Sequence, residues 1–228
     1  MLFNLLRSGS WQEALVVFLM TVPSILIALT FHEVAHGYVA YKCGDPTAKY
    51  MGRLTLNPVK HLDFLGTVLM LLTGYGWAKP VPVNSRYFKN PRKGMALTAL
   101  AGPMTNLILG FFGVIIRTII VVSFSEQILI GKLVEYNVPT AAADFFAYFA
   151  MINLVYAVFN MIPLPPCDGS RVFLVFLPTK YYFGIMKYER IIMLVVLLGM
   201  AMGFFWTPVA NIVELLLTGM EKLAFMIF

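Results

Sequence analysis

The sequence predicts an all-α integral membrane protein: about five transmembrane helices, a three-helix core, and a connecting segment that is partly re-entrant and partly extended. Three observations carry this expectation. Of 228 residues, 60% are hydrophobic and 12% charged, whereas about a quarter of a soluble domain is charged. Apolar runs approaching or exceeding the ~20 residues needed to cross a bilayer recur along the chain. Basic residues collect in particular connections between those runs, as the positive-inside rule requires.

The first run extends roughly from Trp11 to Tyr41. Leu2 and Phe3 precede it without a small-residue cleavage site, so it is expected to remain in the mature protein. Between Cys43 and Lys93 stand Lys49, Arg53, Lys60, Lys79, Arg86, Lys89, Arg92 and Lys93 against only Asp45 and Asp63, which assigns this segment to the cytoplasm. Within it Phe64 to Leu72 is apolar but too short to cross, and Gly66, Gly74 and Gly76 interrupt it, predicting an interfacial or re-entrant piece. Pro80 and Pro82 then impose extended backbone with Val81 and Val83 on one side, either a pairing edge or a solvated loop.

The second and third runs are Leu97 to Phe124 and Ala141 to Ile162, separated by an outside segment, Ser123 to Thr140, with Lys132 against Glu126 and Glu135. Arg171, Lys180, Lys187 and Arg190 place the next connection inside again. Ile185 to Phe228 is long enough to cross twice, with Thr207 and Pro208 as the break. Arg117 is expected to snorkel from the outer end of the second run, and Gly199 with Gly203 to form a small-residue packing face.

No repeat or linker divides the chain, so one domain is expected over residues 1–228, with a core at about 11–170 and a helix pair at about 185–228. The net charge of +6 flanks the spans instead of forming a basic domain, so the expected surroundings are a lipid bilayer and not nucleic acid. Cys43 and Cys167 both fall on the predicted cytoplasmic side, where thiols stay reduced, and no disulfide is expected.

Near the end of the first run stands His32-Glu33-Val34-Ala35-His36. Residues four apart share a helix face, so both imidazoles can converge on one metal ion. Glu33 is offset by about 100°, which suits it to act as a general base on water held by that metal instead of as a ligand. Zinc is the expected metal, because it brings the pKa of bound water down to about 7. The bland reading, polar helix residues without a ligand role, is weakened by the cost of ionisable groups in a span, about 2.5–3.5 kcal/mol each for charged residues at the centre.

A catalytic zinc needs a third protein ligand. Asp168 is the candidate: Pro163, Pro165 and Pro166 forbid regular helix just before it, and broken backbone at membrane depth normally lines a cavity. The topology brings Asp168 and the histidines to the same leaflet, with His32 and His36 about 9 to 15 Å from the inner helix end. Asn160 either packs through an interhelical hydrogen bond or binds a developing oxyanion; Asn153 and Asn106 favour the packing reading. A Cys167 thiolate would be a good zinc ligand, but neighbours in extended backbone point apart. His61 and Asp63 read as loop structure, no third ligand following them.

Together these residues resemble the site-2 protease family of intramembrane metalloproteases. The resemblance rests on the His32 to His36 motif, on Ala101-Gly102-Pro103-Met104-Thr105-Asn106, and on Asn160 through Asp168-Gly169. Leu56 to Asp63 and Gly76 to Asn84 further resemble the short bacterial members without a PDZ domain. The resemblance implies one zinc per chain held by His32, His36 and Asp168, with Glu33 as base and Asn160 as helper. It also implies membrane-protein or peptide substrates and a bacterial inner membrane with the site toward the cytoplasm. Cys167 and Phe64 depart from the usual leucine and proline; neither removes a ligand. A metal-ion transporter would not need Glu33 and would show matching broken halves. An inactive scaffold would be expected to have lost Glu33 or a ligand.

Overall fold

The computed structural model describes residues 11–73, 76–133, 137–178, 181, 184–185 and 187–228. Expectations for Leu2, Phe3, Gly74, Glu135, Lys180 and the Arg190 side chain lie outside these residues. Three helices are long and apolar enough to cross a membrane: α1 (Trp11–Lys42), α4 (Pro91–Ser123) and α6 (Val138–Asn160). They contact one another pairwise, α4 with α6 most extensively. The chain is therefore an integral membrane protein built on a three-helix core.

Helix starts follow capping chemistry more closely than apolarity. Asn90 accepts from the Lys93 N–H with Pro91 in the first turn, and Asn137 accepts from the Thr140 N–H ahead of Val138 and Pro139. Both side chains satisfy N–H groups that have no partner within the helix. This is why α4 and α6 begin several residues before the predicted Leu97 and Ala141. The segment between them also carries a helix, α5 (Ser125–Leu133), where only a connection was expected.

On the other side of the bundle, α2 (Thr47–Tyr50) follows α1, and α3 (Phe64–Thr73) is the short apolar helix expected there. Gly66 does not interrupt α3. It lies inside the helix, where a Cβ would come 2.2 Å from the Trp77 carbonyl oxygen. The extended segment after Gly76 forms no strand. Its one ladder contact among the described residues is an antiparallel bridge between Leu62 and Ala78.

The pair expected at 185–228 consists of α8 (Glu189–Ala201) and α9 (Trp206–Ile227). The chain turns at Gly203, where φ is +81°, a value that suits glycine. Thr207 and Pro208 thus sit in the first turn of α9, where proline is tolerated. Gly203 is outside any helix and Gly199 faces Phe205 of the same turn, so the two make no helix-packing face. Val209 and Val213 pack with Leu154 of α6, and Ala224 packs with Val114 and Ala150. Arg117 is ion-paired to Glu221 of α9 at 2.8 Å instead of snorkelling alone.

After α6, the turn through the three prolines folds the chain back into α7 (Asp168–Leu174). Gly169 makes the return tight: a Cβ there would meet the Met161 carbonyl oxygen at 2.3 Å. Asp168 is thereby held against the bundle instead of projecting past its end.

Candidate metal centre

His32 and His36 stand one turn apart on α1, both buried, and the proton on each ring follows from its neighbours. Asn106 of α4 directs Nδ2 to the Ala28 carbonyl oxygen at 3.0 Å and to Asn153 Oδ1 at 2.9 Å. A carbonyl only accepts, so the donating atom is the amide nitrogen and Oδ1 faces His32 Nδ1, at 2.5 Å. His32 Nδ1 therefore carries the hydrogen. His36 Nδ1 donates to the Thr98 carbonyl oxygen at 2.7 Å. Both Nε2 atoms are left as bare lone-pair donors.

Those two atoms lie 3.0 Å apart, and Asp168 Oδ2 lies 3.0 Å from one and 3.2 Å from the other. Three lone-pair donors in such a triangle repel unless a cation sits among them. One proton would satisfy a single edge. A tetrahedral zinc with bonds of about 2.0–2.1 Å spaces its ligands by ~3.3 Å, so zinc fits all three edges at once. Among the described residues no other group of three His, Cys, Asp or Glu side chains converges in this way.

α4 reaches the centre because Gly102 has no side chain. A Cβ there would come 2.6 Å from His36 Nε2, from His36 Cε1 and from His32 Cε1. Pro103 follows inside the helix and contributes no N–H, so the Ala99 carbonyl, next to the Thr98 carbonyl that receives His36, loses its helical donor. Glu33 is also buried, and its Oε2 accepts the Val81 N–H at 2.9 Å.

Other predicted residues fall to either side. Cys167 is buried and outside the ligand cluster. Burial, with the neighbouring Asp168 charge, pushes its thiol up to about 12, so it stays protonated. His61 Nε2 binds the Thr55 carbonyl oxygen at 2.8 Å and Asp63 accepts from the Gly66 N–H at 2.9 Å, both local loop roles. Asn160 donates to the Tyr156 carbonyl one turn back, at 3.0 Å, and makes no hydrogen bond to the three ligands or Glu33.

Residues 20–205 match the model of peptidase family M50. The chain belongs to this family, the site-2 proteases. Among M50 relatives, "Putative zinc metalloprotease YwhC" of Bacillus subtilis is 46% identical over 151 residues, 66% of this chain and 66% of its own. "Putative zinc metalloprotease MJ0611" of Methanocaldococcus jannaschii is 30% identical over 165 residues, 70% of this chain and 71% of its own. "Putative zinc metalloprotease Rip2" of Mycolicibacterium smegmatis is 25% identical over 160 residues, 67% of this chain and 55% of its own. The matched region thus spans 55% to 66% of the length of YwhC and Rip2. No solved structure matches the chain.

For this M50 chain the sequence reading missed Asn106 as more than packing. The available signal was an amide inside an apolar run, which must find a hydrogen-bond partner once buried, although the sequence does not name that partner. Metal-ligating histidines almost always donate their other ring N–H to a fixed acceptor, and Asn106 and the Thr98 carbonyl offer His32 and His36 such acceptors.

Proposed function

We propose that this chain is an intramembrane zinc endopeptidase that hydrolyses peptide bonds of membrane-protein substrates within or near the bilayer. The observation that supports it most is the triangle of His32 Nε2, His36 Nε2 and Asp168 Oδ2, standing beside a buried Glu33. A zinc ion bound by these atoms supplies Lewis acidity to water and to the scissile carbonyl. His32 and His36 orient their lone pairs through Asn106 and Thr98. Asp168 closes the ligand set from α7. Glu33, one oxygen fixed by Val81, takes a proton from the attacking water and returns it to the leaving amine. Asn160 supports the carbonyl oxygen as charge develops on it, which requires it to leave the Tyr156 carbonyl when substrate binds. The basic segment between α1 and α4 supports a site facing the cytoplasm, and the resemblance to short bacterial members supports an inner membrane, with residues 1–228 working as one protease domain.

Glu33→Gln is expected to abolish cleavage of a membrane-protein substrate while leaving about one zinc per chain in detergent-purified protein. Wild-type cleavage by that variant removes Glu33 from the reaction. Asn160→Ala is expected to lower kcat by about 10²-fold, as loss of an oxyanion donor does; unchanged turnover leaves Asn160 only its bond to Tyr156.

A further inference from the structure

Glu33 is held by an arrangement that reaches well beyond the metal ligands. Its partner, the Val81 N–H, lies between Pro80 and Pro82, which carry no N–H of their own. Val81 is therefore the one donor that residues 80 to 82 can present. It reaches α1 over Gly37, where a Cβ would come 3.1 Å from Val81 Cγ1 and 2.8 Å from Leu54 Cδ2.

The rest of this strap is tied down along its length. The Lys79 N–H donates to the His61 carbonyl oxygen at 2.9 Å, and the Asn84 N–H to the buried Asp45 carboxylate at 2.6 Å. Between these anchors, Arg53 donates from Nη2 to the Lys79 carbonyl oxygen at 2.7 Å and from Nη1 to the Pro80 carbonyl oxygen at 3.3 Å. These bonds tie the strap to the protein from Lys79 to Asn84.

The Pro80 carbonyl and the Val81 N–H belong to one planar peptide unit and point in opposite directions across it. Arg53 grips the oxygen of that plane while Glu33 accepts from its nitrogen. The cation fixes the rotation of the plane and polarises the amide, which strengthens the bond to Glu33. Arg53 is itself only 7% exposed, and among the described residues no carboxylate pairs with it within 4.0 Å. A buried guanidinium is costly to retain, and here its observed hydrogen bonds go to these two carbonyls.

We propose that Arg53 is a positioning residue for Glu33, acting through the Pro80–Val81 peptide. The proposal rests on the reading of Glu33 as general base. It is tested on the full chain in detergent by three measurements on Arg53→Gln and Arg53→Lys: kcat and KM on a membrane-spanning peptide, zinc per chain, and hydrogen exchange of the Val81 amide. Pro80 and Pro82 contribute no amide signal of their own beside it.

Arg53→Gln is expected to cut kcat by about 10- to 100-fold, less than the whole contribution of a general base, with KM within about twofold and zinc retained. Its Val81 amide is expected to exchange at least about tenfold faster. Arg53→Lys, which keeps a cation for the Pro80 oxygen, is expected to recover most of both. Should Arg53→Gln fail to fold, Val81→Pro deletes the same donor and is expected to reproduce the loss of kcat with zinc in place. Full kcat in Arg53→Gln or Val81→Pro, unchanged Val81 exchange, or loss of zinc in step with activity overturns the proposal. An active Glu33→Gln protein instead overturns the base assignment, whereas an inactive one beside a fully active Arg53→Gln overturns the positioning role alone.

Discussion

The two halves of α4 use the same device for different ends. In the half that begins at Pro91, Gly102 lets the helix backbone press against His32 and His36. In the other half, Gly110 and Gly113 do the same against Leu154, Phe149 and Ala150 of α6. Small residues permit close helix approach in a membrane whatever lies opposite. The neighbour, not the glycine, decides whether the position serves chemistry or cohesion. The halves also differ in polarity: Asn106 and Thr98 serve the imidazoles, while Arg117 serves an ion pair.

The sharpest break of this comparison is Gly102→Ala against Gly113→Ala. At Gly102 the new methyl collides with His32 Cε1 and with His36 Cε1 and Nε2, so zinc and cleavage are both expected to be lost, read by metal content and turnover. At Gly113 it meets Phe149 at 2.9 Å and Ala150 at 3.2 Å, which costs about 1–3 kcal/mol of packing. Zinc should remain at about one per chain, and thermal unfolding in detergent should show the loss. If both variants kept zinc and lost only stability, the two halves would be equivalent.

A finer test removes the polar half of the device. Asn106→Leu takes away the acceptor of the His32 Nδ1–H and is expected to weaken zinc affinity by about 10- to 100-fold, measured by competition with a chelator. Affinity within twofold of wild type would return Asn106 to packing alone. The smallest effect is expected at the far half. A double-mutant cycle with Arg117→Gln and Glu221→Gln should give a coupling of about 1 kcal/mol or less for this partly exposed pair, with activity intact. A loss of turnover there would mean that α9 docking reaches the metal centre.

The candidate site was legible because each of its residues breaks a rule that lipid enforces. His32, Glu33 and His36 are ionisable within an apolar run, and Asp168 follows three prolines that no spanning helix accommodates. The three long helices were legible for the same reason, from length and apolarity. What stayed hidden depends on polar partners beyond the apolar stretch or on contacts across the chain. Asn90 and Asn137 set helix starts outside the apolar runs. The 185–228 segment is apolar enough to suggest two crossings, yet α8 has only 13 residues. Asn106 looked like packing because nothing in its own neighbourhood reveals that its oxygen meets a histidine 74 positions earlier. The strap through Val81 was readable as extended, but its attachment to Glu33 crosses 48 positions.

The separation of His32 from Asp168 by 136 positions bears on biogenesis. A ribosome releasing this chain delivers the imidazoles early and the carboxylate only after the third long helix has been synthesised. Until α6 has been made and its terminal turn has folded back, the nascent polypeptide lacks one arm of the candidate metal centre. On the proposed function, hydrolytic competence would therefore arrive late in synthesis, and a product truncated before Asp168 would lack it.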